Sequence, residues 1–308
     1  MSLRLVGHVD LPDHLGPGGF DHAAVHRRSG RLYAAHTANN ALDVIDCATD
    51  QYLRAIGDLA GVAGALVSDE RDLVFTSNRG ENTVAIFAVG DESALRKVPV
   101  GIRPNGLSFD PKRNLLLAAH VGDPAIPGST SVWLIDVAAR SPIAAVPVPG
   151  RTRWTVFDAQ TGCFYVNIAA PAQMVVIAAS EPTRVAHTLE IPAAGPHGLD
   201  LDAATRRLFC ACDSRQLVVL DMATGTALQQ AELSGVPDVV FFNAALRHLY
   251  VAIGDPGVID VFDTDTIRRI EVVNTERGAH TIAFDAERNK VFAFLPQTYR
   301  AAVYRDEA

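Results

Sequence analysis

A unit of about 42 residues recurs along this chain, and it restricts the possible folds more than any other feature of the sequence. Its clearest copy runs from Phe20 to Asp46. A short apolar stretch, Asp21-His22-Ala23-Ala24-Val25, turns through Arg27-Arg28-Ser29-Gly30 into a second run, Leu32-Tyr33-Ala34-Ala35, that ends in His36. Polar Thr37-Ala38-Asn39-Asn40 then leads to a third run, Leu42-Asp43-Val44-Ile45-Asp46. Apolar or β-branched runs of about five residues, punctuated by Gly, Asn and Asp, are the pattern of antiparallel strands joined by tight turns.

The same unit returns at Asn105-Gly106-Leu107-Ser108-Phe109-Asp110, at His197-Gly198-Leu199-Asp200-Leu201-Asp202 and at His280-Thr281-Ile282-Ala283-Phe284-Asp285, with weaker copies from Gly64, Arg153 and Asp238. Taking Asp21, Gly64, Asn105, Arg153, His197, Asp238 and His280 as first positions gives spacings of 43, 41, 48, 44, 41 and 42 residues, hence seven repeats. A fourth run follows each third one, for example Gln51-Tyr52-Leu53-Arg54-Ala55-Ile56. Runs this short and this β-branched exclude helical repeats and predict an all-β, seven-bladed β-propeller with four antiparallel strands per blade. The last copy stops at its third strand, Ala301-Ala302-Val303-Tyr304, while Leu3 to Pro12 resembles a fourth strand. The N-terminal strand is therefore expected to close the last blade, leaving no long unpaired edge.

No linker interrupts the repeat, so residues 1–308 are read as one domain. No apolar stretch approaches the length of a membrane span, and the start lacks an export signal, which makes a cytoplasmic location the expectation. A net charge of −8 argues against nucleic acid or an anionic membrane as partner and leaves oligomeric state open. Cys47, Cys163, Cys210 and Cys212 have neither metal-ligand nor disulfide-framework spacing and are read as free thiols.

The segments Leu32-Tyr33-Ala34-Ala35 with Asn39-Asn40-Ala41-Leu42-Asp43-Val44-Ile45-Asp46, and Val74-Phe75-Thr76-Ser77-Asn78 with Glu81-Asn82-Thr83-Val84-Ala85-Ile86-Phe87, resemble the YVTN-repeat, YncE-like family of seven-bladed propellers over essentially the whole chain. The resemblance implies the fold and says little of function. Similar propellers include lactonases of the 6-phosphogluconolactonase type, SMP-30 gluconolactonases and streptogramin lyases, and no catalytic residue transfers from them by motif.

Function has to be sought where unusual side chains gather. In such a blade the first strand begins, and the second ends, at the same mouth of the central tunnel. The second-strand ends are His36, Asn78, His120, Ile168, Cys212, Ile253 and Leu295. Four of the chain's ten histidines, His36, His120, His197 and His280, fall on these fourteen positions, several times what chance would place there. They are expected to line one cavity, and with Asp21 or Asp238 beside them could hold one divalent metal, Zn, Fe, Mn or Ca. The plainer alternative gives each histidine a loop carbonyl or a water as partner. Asp238 and Asp21, with His197 and His280, are the candidate catalytic groups. Arg153, Trp154, Asn78 and Asn105 are the candidates for binding a small, anionic substrate, Arg153 as clamp and Trp154 as cover, with Arg79 as a second cation. An inter-blade ion pair for Arg153 and a packed core position for Trp154 are the alternative. The Pro/Gly-rich insertion from Val121 to Thr130 is a lid or a surface loop. Asp110, Asp158, Asp202 and Asp285, at the far ends of first strands, are turn residues.

Two functions follow as expectations. One is a hydrolase or lyase acting on a lactone-like or carboxylated small molecule; the other is a non-catalytic scaffold that binds a ligand or protein. The Gly-x-Ser-x-Gly and phosphate-loop signatures are absent.

Overall fold

The structure is a computed structural model that describes residues 3–307. It contains seven four-stranded antiparallel sheets arranged as the blades of a β-propeller. In blade 1 the strands are Ala23–His26, Arg31–His36, Ala41–Asp46 and Gln51–Ile56, from the axis outward. Blades 2 to 6 repeat this order. Blade 7 takes Thr281–Asp285, Lys290–Leu295 and Arg300–Asp306 from the C-terminal end and its outer strand, Leu3–Asp10, from the N-terminal end. The ring is thus closed by hydrogen bonds between the two ends of the chain, as the repeat count predicts.

Packing lies between blades. Seven apolar clusters occur, one for each neighbouring pair. Alternation along the second strand of blade 1 shows why: Leu32 and Ala34 pack toward blade 7, whereas Tyr33 and Ala35 pack toward blade 2. Both faces are buried, so the strand reads as one continuous apolar run. Outer strands, by contrast, are largely exposed, and Ala227–Glu232 is almost wholly so. The aspartates at the far ends of first strands are turn residues: Asp110, Asp158, Asp202 and Asp285 each accept from the amide two residues on.

Inner strands of blades 2 to 6 carry a register shift at their mouth end, as between Pro104 and Leu107 or Thr152 and Thr155. Such bulges re-aim the residues beside them. Register also corrects the sequence alignment in blade 2. Gly64 pairs with Ser77 as Gly198 pairs with Ala211, so Gly64 holds the second position of its repeat and Ala63 the first. A Cβ on Gly64 would lie 2.3 Å from the Asn105 carbonyl oxygen, and one on Gly198 2.3 Å from that of Asp238. Glycine at this position lets neighbouring inner strands approach closely.

Candidate functional site at the tunnel mouth

The second position of the repeat is glycine in blades 2, 3 and 5 but His22 in blade 1 and Trp154 in blade 4. The His22 and Trp154 rings stack across the tunnel with centroids 4.1 Å apart and planes 20° from parallel. Trp154 Nε1 lies 3.5 Å from Asp238 Oδ1. Burial lowers the pKa of His22, against the opposing pull of Asp21 and Asp238, so its ring is held neutral.

Around this plug the first-position residues form a charged ring. On one side Asp21 accepts from Arg79 (Nη1 to Oδ2, 3.1 Å) and lies 3.4 Å from His22 Nε2. Arg79 also donates to the Asn105 side-chain oxygen, which links blades 1, 2 and 3. On the other side His197 is clamped between carboxylates, with Nδ1 2.7 Å from Asp213 Oδ1 and Nε2 3.3 Å from Asp238 Oδ1. Arg153 reaches Asp213 Oδ2 at 3.2 Å and comes within 3.2 Å of His197 Nε2. Burial alone would lower the His197 pKa, but the charge of Asp238 and hydrogen bonds to Asp213 and Asp238 outweigh it and raise it to about 9. His197 is therefore a fixed imidazolium at neutral pH. Asp238 is the reciprocal case: burial pushes its pKa up, yet the charge and hydrogen bond of His197 hold it far below the ordinary carboxylate range. A carboxylate so strongly stabilised as an anion is a counter-ion and a poor proton acceptor.

His280 differs. Its Nδ1 donates to the Gly278 carbonyl at 2.8 Å, and since a carbonyl can only accept, neutral His280 carries its lone pair on Nε2. That nitrogen is 3.9 Å from Asp238 Oδ2, and the side chain is 37% exposed.

The other two histidines do not join them. His36 is fully buried between blades 7 and 1, with Nδ1 2.7 Å from Asp43 Oδ2 and its ring against Phe20 and His14. His120 is fully buried beside Trp133, with ring centroids 5.9 Å apart, and neither ring nitrogen has a well-aligned partner. Burial depresses its pKa to about 4. Asn78 is buried as well: it accepts from Thr76 and donates to Thr83 within its own blade. The cause is common to all three. The last residue of a second strand continues the alternation of a strand buried on both faces, so its side chain enters a blade interface rather than the mouth. The expected four-histidine cavity is not assembled, and the expected His36, His120, His197 and His280 ligand set is not brought together. Among the described residues no group of three or more His, Cys, Asp or Glu is placed to hold a metal ion.

Sequence reasoning missed three charged residues on this face. Asp213, just after the second strand of blade 5, completes the His197 clamp. Arg103 and Arg151, on the loops entering blades 3 and 4, are exposed, and among the described residues neither has a carboxylate within ion-pair distance. Burial, then the charges of Arg153, Arg79 and Arg103, lower the Arg151 pKa, so the four guanidinium groups lie near enough to repel one another. Arg103 and Arg151 share a cleft of about 370 Å³ with the Val121–Thr130 insertion, whose Asp123, Pro124 and Ile126 form its other wall. The insertion is braced internally, with Asp123 N–H donating to Ser129 Oγ at 2.8 Å and Ser129 Oγ donating back to the Asp123 carbonyl at 2.9 Å.

No protein-family model matches the chain, and no curated protein matches it by sequence. Solved structures do match in fold. Hydrazine synthase of Kuenenia stuttgartiensis is similar with a TM-score of 0.82 at 11% identity, covering 96% of this chain and 96% of that one. A chain of the mitotic checkpoint complex matches with a TM-score of 0.82 at 10% identity, over 99% of this chain and 92% of that one. At these identities the likeness shows the seven-bladed fold alone, shared by propellers of an enzyme and of a protein assembly.

Proposed function

We propose that the tunnel mouth binds a small anionic molecule, its negative group received by Arg103 and Arg151 and its remainder lying over the Trp154–His22 plug. One observation carries this reading: two guanidinium groups with no carboxylate within ion-pair distance among the described residues stand near Arg79 and Arg153 on a chain whose net charge is −8. Like charges gathered against the overall sign of a protein favour an anionic guest, and guanidinium forks suit carboxylate or phosphate. The motifs in Leu32–Asp46 and Val74–Phe87 support, in the same reading, a kinship with YVTN-repeat propellers.

Within it, a hydrolase or lyase activity falls to His280. Among the mouth imidazoles, its Nε2 is the one with a free lone pair and access to solvent, whereas His197 is committed to two carboxylates and His22 to the plug. Asp238, 3.9 Å away, would stabilise the imidazolium formed when His280 takes a proton. Calorimetric titration with a panel of organic carboxylates, phosphate esters and matched neutral compounds tests the binding step. Anions should bind, and Arg151→Ala should weaken them about tenfold or more, as loss of a charge-assisted hydrogen bond does. Equal binding of neutral compounds, or indifference to Arg151→Ala, would overturn it. Lactone hydrolysis by the wild type that His280→Ala abolishes would support the catalytic reading; binding without turnover would leave a ligand-binding scaffold.

A further inference from the structure

The Trp154–His22 stack separates the charged mouth from a second space. On its far side a cavity of about 430 Å³ runs between the inner strands to the opposite face, where Ser68, Glu70, Pro111 and Ala159 surround its opening. Ala, Val, Leu and Phe make most of its wall. Three of its lining side chains are ionisable: His22 at the closed end, Glu70 at the open end and Asp200 between them. No lysine or arginine lines it.

Asp200 departs from the repeat. The equivalent positions facing this cavity are Ala24, Leu66, Ser108, Val156 and Phe241, so one carboxylate stands in an otherwise uncharged ring. Its Oδ1 accepts from the Leu201 amide at 2.8 Å and its Oδ2 from the Phe242 amide at 2.7 Å. These bonds fix the group in place and leave each oxygen a further lone pair. Among the described residues no cation pairs with it. A carboxylate without a cation in an apolar space is unfavourable unless something positive occupies it.

We infer that this cavity is a binding site for a small organic cation, a primary ammonium on an apolar body of roughly aromatic-ring size, which enters from the face opposite the mouth and donates to Asp200. The volume lies in the range of small-molecule sites, roughly 300–1,000 Å³. The ammonium has three donors, and Asp200 takes one or two of them. The two ends of the tunnel then select guests of opposite sign. Burial also pushes the Asp200 pKa up to about 6, with its amide donors lowering it and Asp202 raising it. Of the other groups facing the cavity, His22 is held neutral by burial and Glu70 stands at the solvent edge. Cation binding should therefore weaken as pH falls through about 6, where Asp200 takes a proton.

The test is titration of the whole protein with benzylamine, followed by tryptophan emission and thermal stability, with benzoate and benzyl alcohol as isosteric controls. Benzylamine should bind saturably and more tightly than either control. Asp200→Asn should weaken it about tenfold or more, the size expected for loss of a charge-assisted hydrogen bond. Should that variant not fold, Ala24→Leu, which narrows the cavity and leaves the carboxylate alone, must weaken binding likewise. Arg151→Ala, at the mouth, must leave it unchanged, which separates this site from the anion site. No saturation at millimolar benzylamine, equal binding of benzoate or benzyl alcohol, indifference to Ala24→Leu, or loss in Arg151→Ala would each overturn the inference.

Discussion

Replacing His197 by Gln tests the charge arrangement at the mouth most directly. In the native protein His197 is an imidazolium between Asp213 and Asp238, with its pKa raised from 6.5 to about 9. A difference of that size between folded and unfolded chain corresponds to roughly 3 kcal/mol. The side chain is 14% exposed, so solvent screens the pairs only slightly. Because the folded pKa is the higher one, the folded chain binds the extra proton. This stability is fully present below pH 6.5 and is lost as pH rises through about 9. Gln removes the charge and leaves Asp213 and Asp238 facing each other without it, a loss of about 3–5 kcal/mol near neutral pH. Urea unfolding of wild type and variant across this range gives the difference, which should be largest at low pH and shrink toward pH 9. Titration of the His197 ring protons by NMR gives the pKa itself. A measured value at or below 6.5, or a difference between the two proteins that does not vary with pH, would refute the reasoning.

Four further outcomes are expected. His120 behaves oppositely: burial lowers its pKa to about 4, so its stability contribution is present above pH 6.5 and lost as pH falls toward 4, and His120→Leu should flatten the acid limb of the urea-unfolding profile. Deleting residues 1–11 removes the outer strand of blade 7 and the buried Leu3, Val9 and Leu11, and should cost at least about 4 kcal/mol at roughly 1.5–3 kcal/mol per buried side chain, with aggregation on heating. Unchanged melting of the truncated protein would contradict it. Gly64→Ala places a methyl group 2.3 Å from the Asn105 carbonyl and should destabilise by about 1–3 kcal/mol in calorimetry. Trp154→Ala removes half of the plug and should let a ligand pass between mouth and cavity, seen as loss of the independence of the benzylamine and anion titrations.

Most of the fold was legible because a period near 42 with turn residues at fixed offsets has few solutions, and because the incomplete last copy matched the surplus strand at the start. The mouth was legible in half. Asp21, Asn105, Arg153, His197, Asp238 and His280 come together because each stands at the mouth end of an inner strand, where in blades 3 to 6 a bulge re-aims it. His36, Asn78 and His120 do not, since a strand buried on both faces shows no alternation of polar and apolar residues from which its facing could be read. Gly64 was set one place late because backbone proximity, not side-chain type, fixes it there. Asp213, Arg103 and Arg151 lie on connections between strands, where the repeat has no phase. Asp200 stood two residues before a recurring turn aspartate and was masked by it. The alternative weighed for Arg153, an inter-blade ion pair, is present in its contact with Asp213.

Closing blade 7 with strands from opposite ends of the chain has a consequence for biosynthesis. Among the strands of the propeller, Leu3–Asp10 leaves the ribosome before the others, and its partner Arg300–Asp306 after them. At about 5–20 residues per second, on the order of 15–60 s separate them. Over that interval the nascent chain holds six blades that can each form from contiguous sequence, yet the first of them lacks the neighbour that will cover Phe20, Leu32 and Ala34. The seam between first and last blades is thus where an emerging chain is most open to chaperones, and where a ring that fails to close would join another copy.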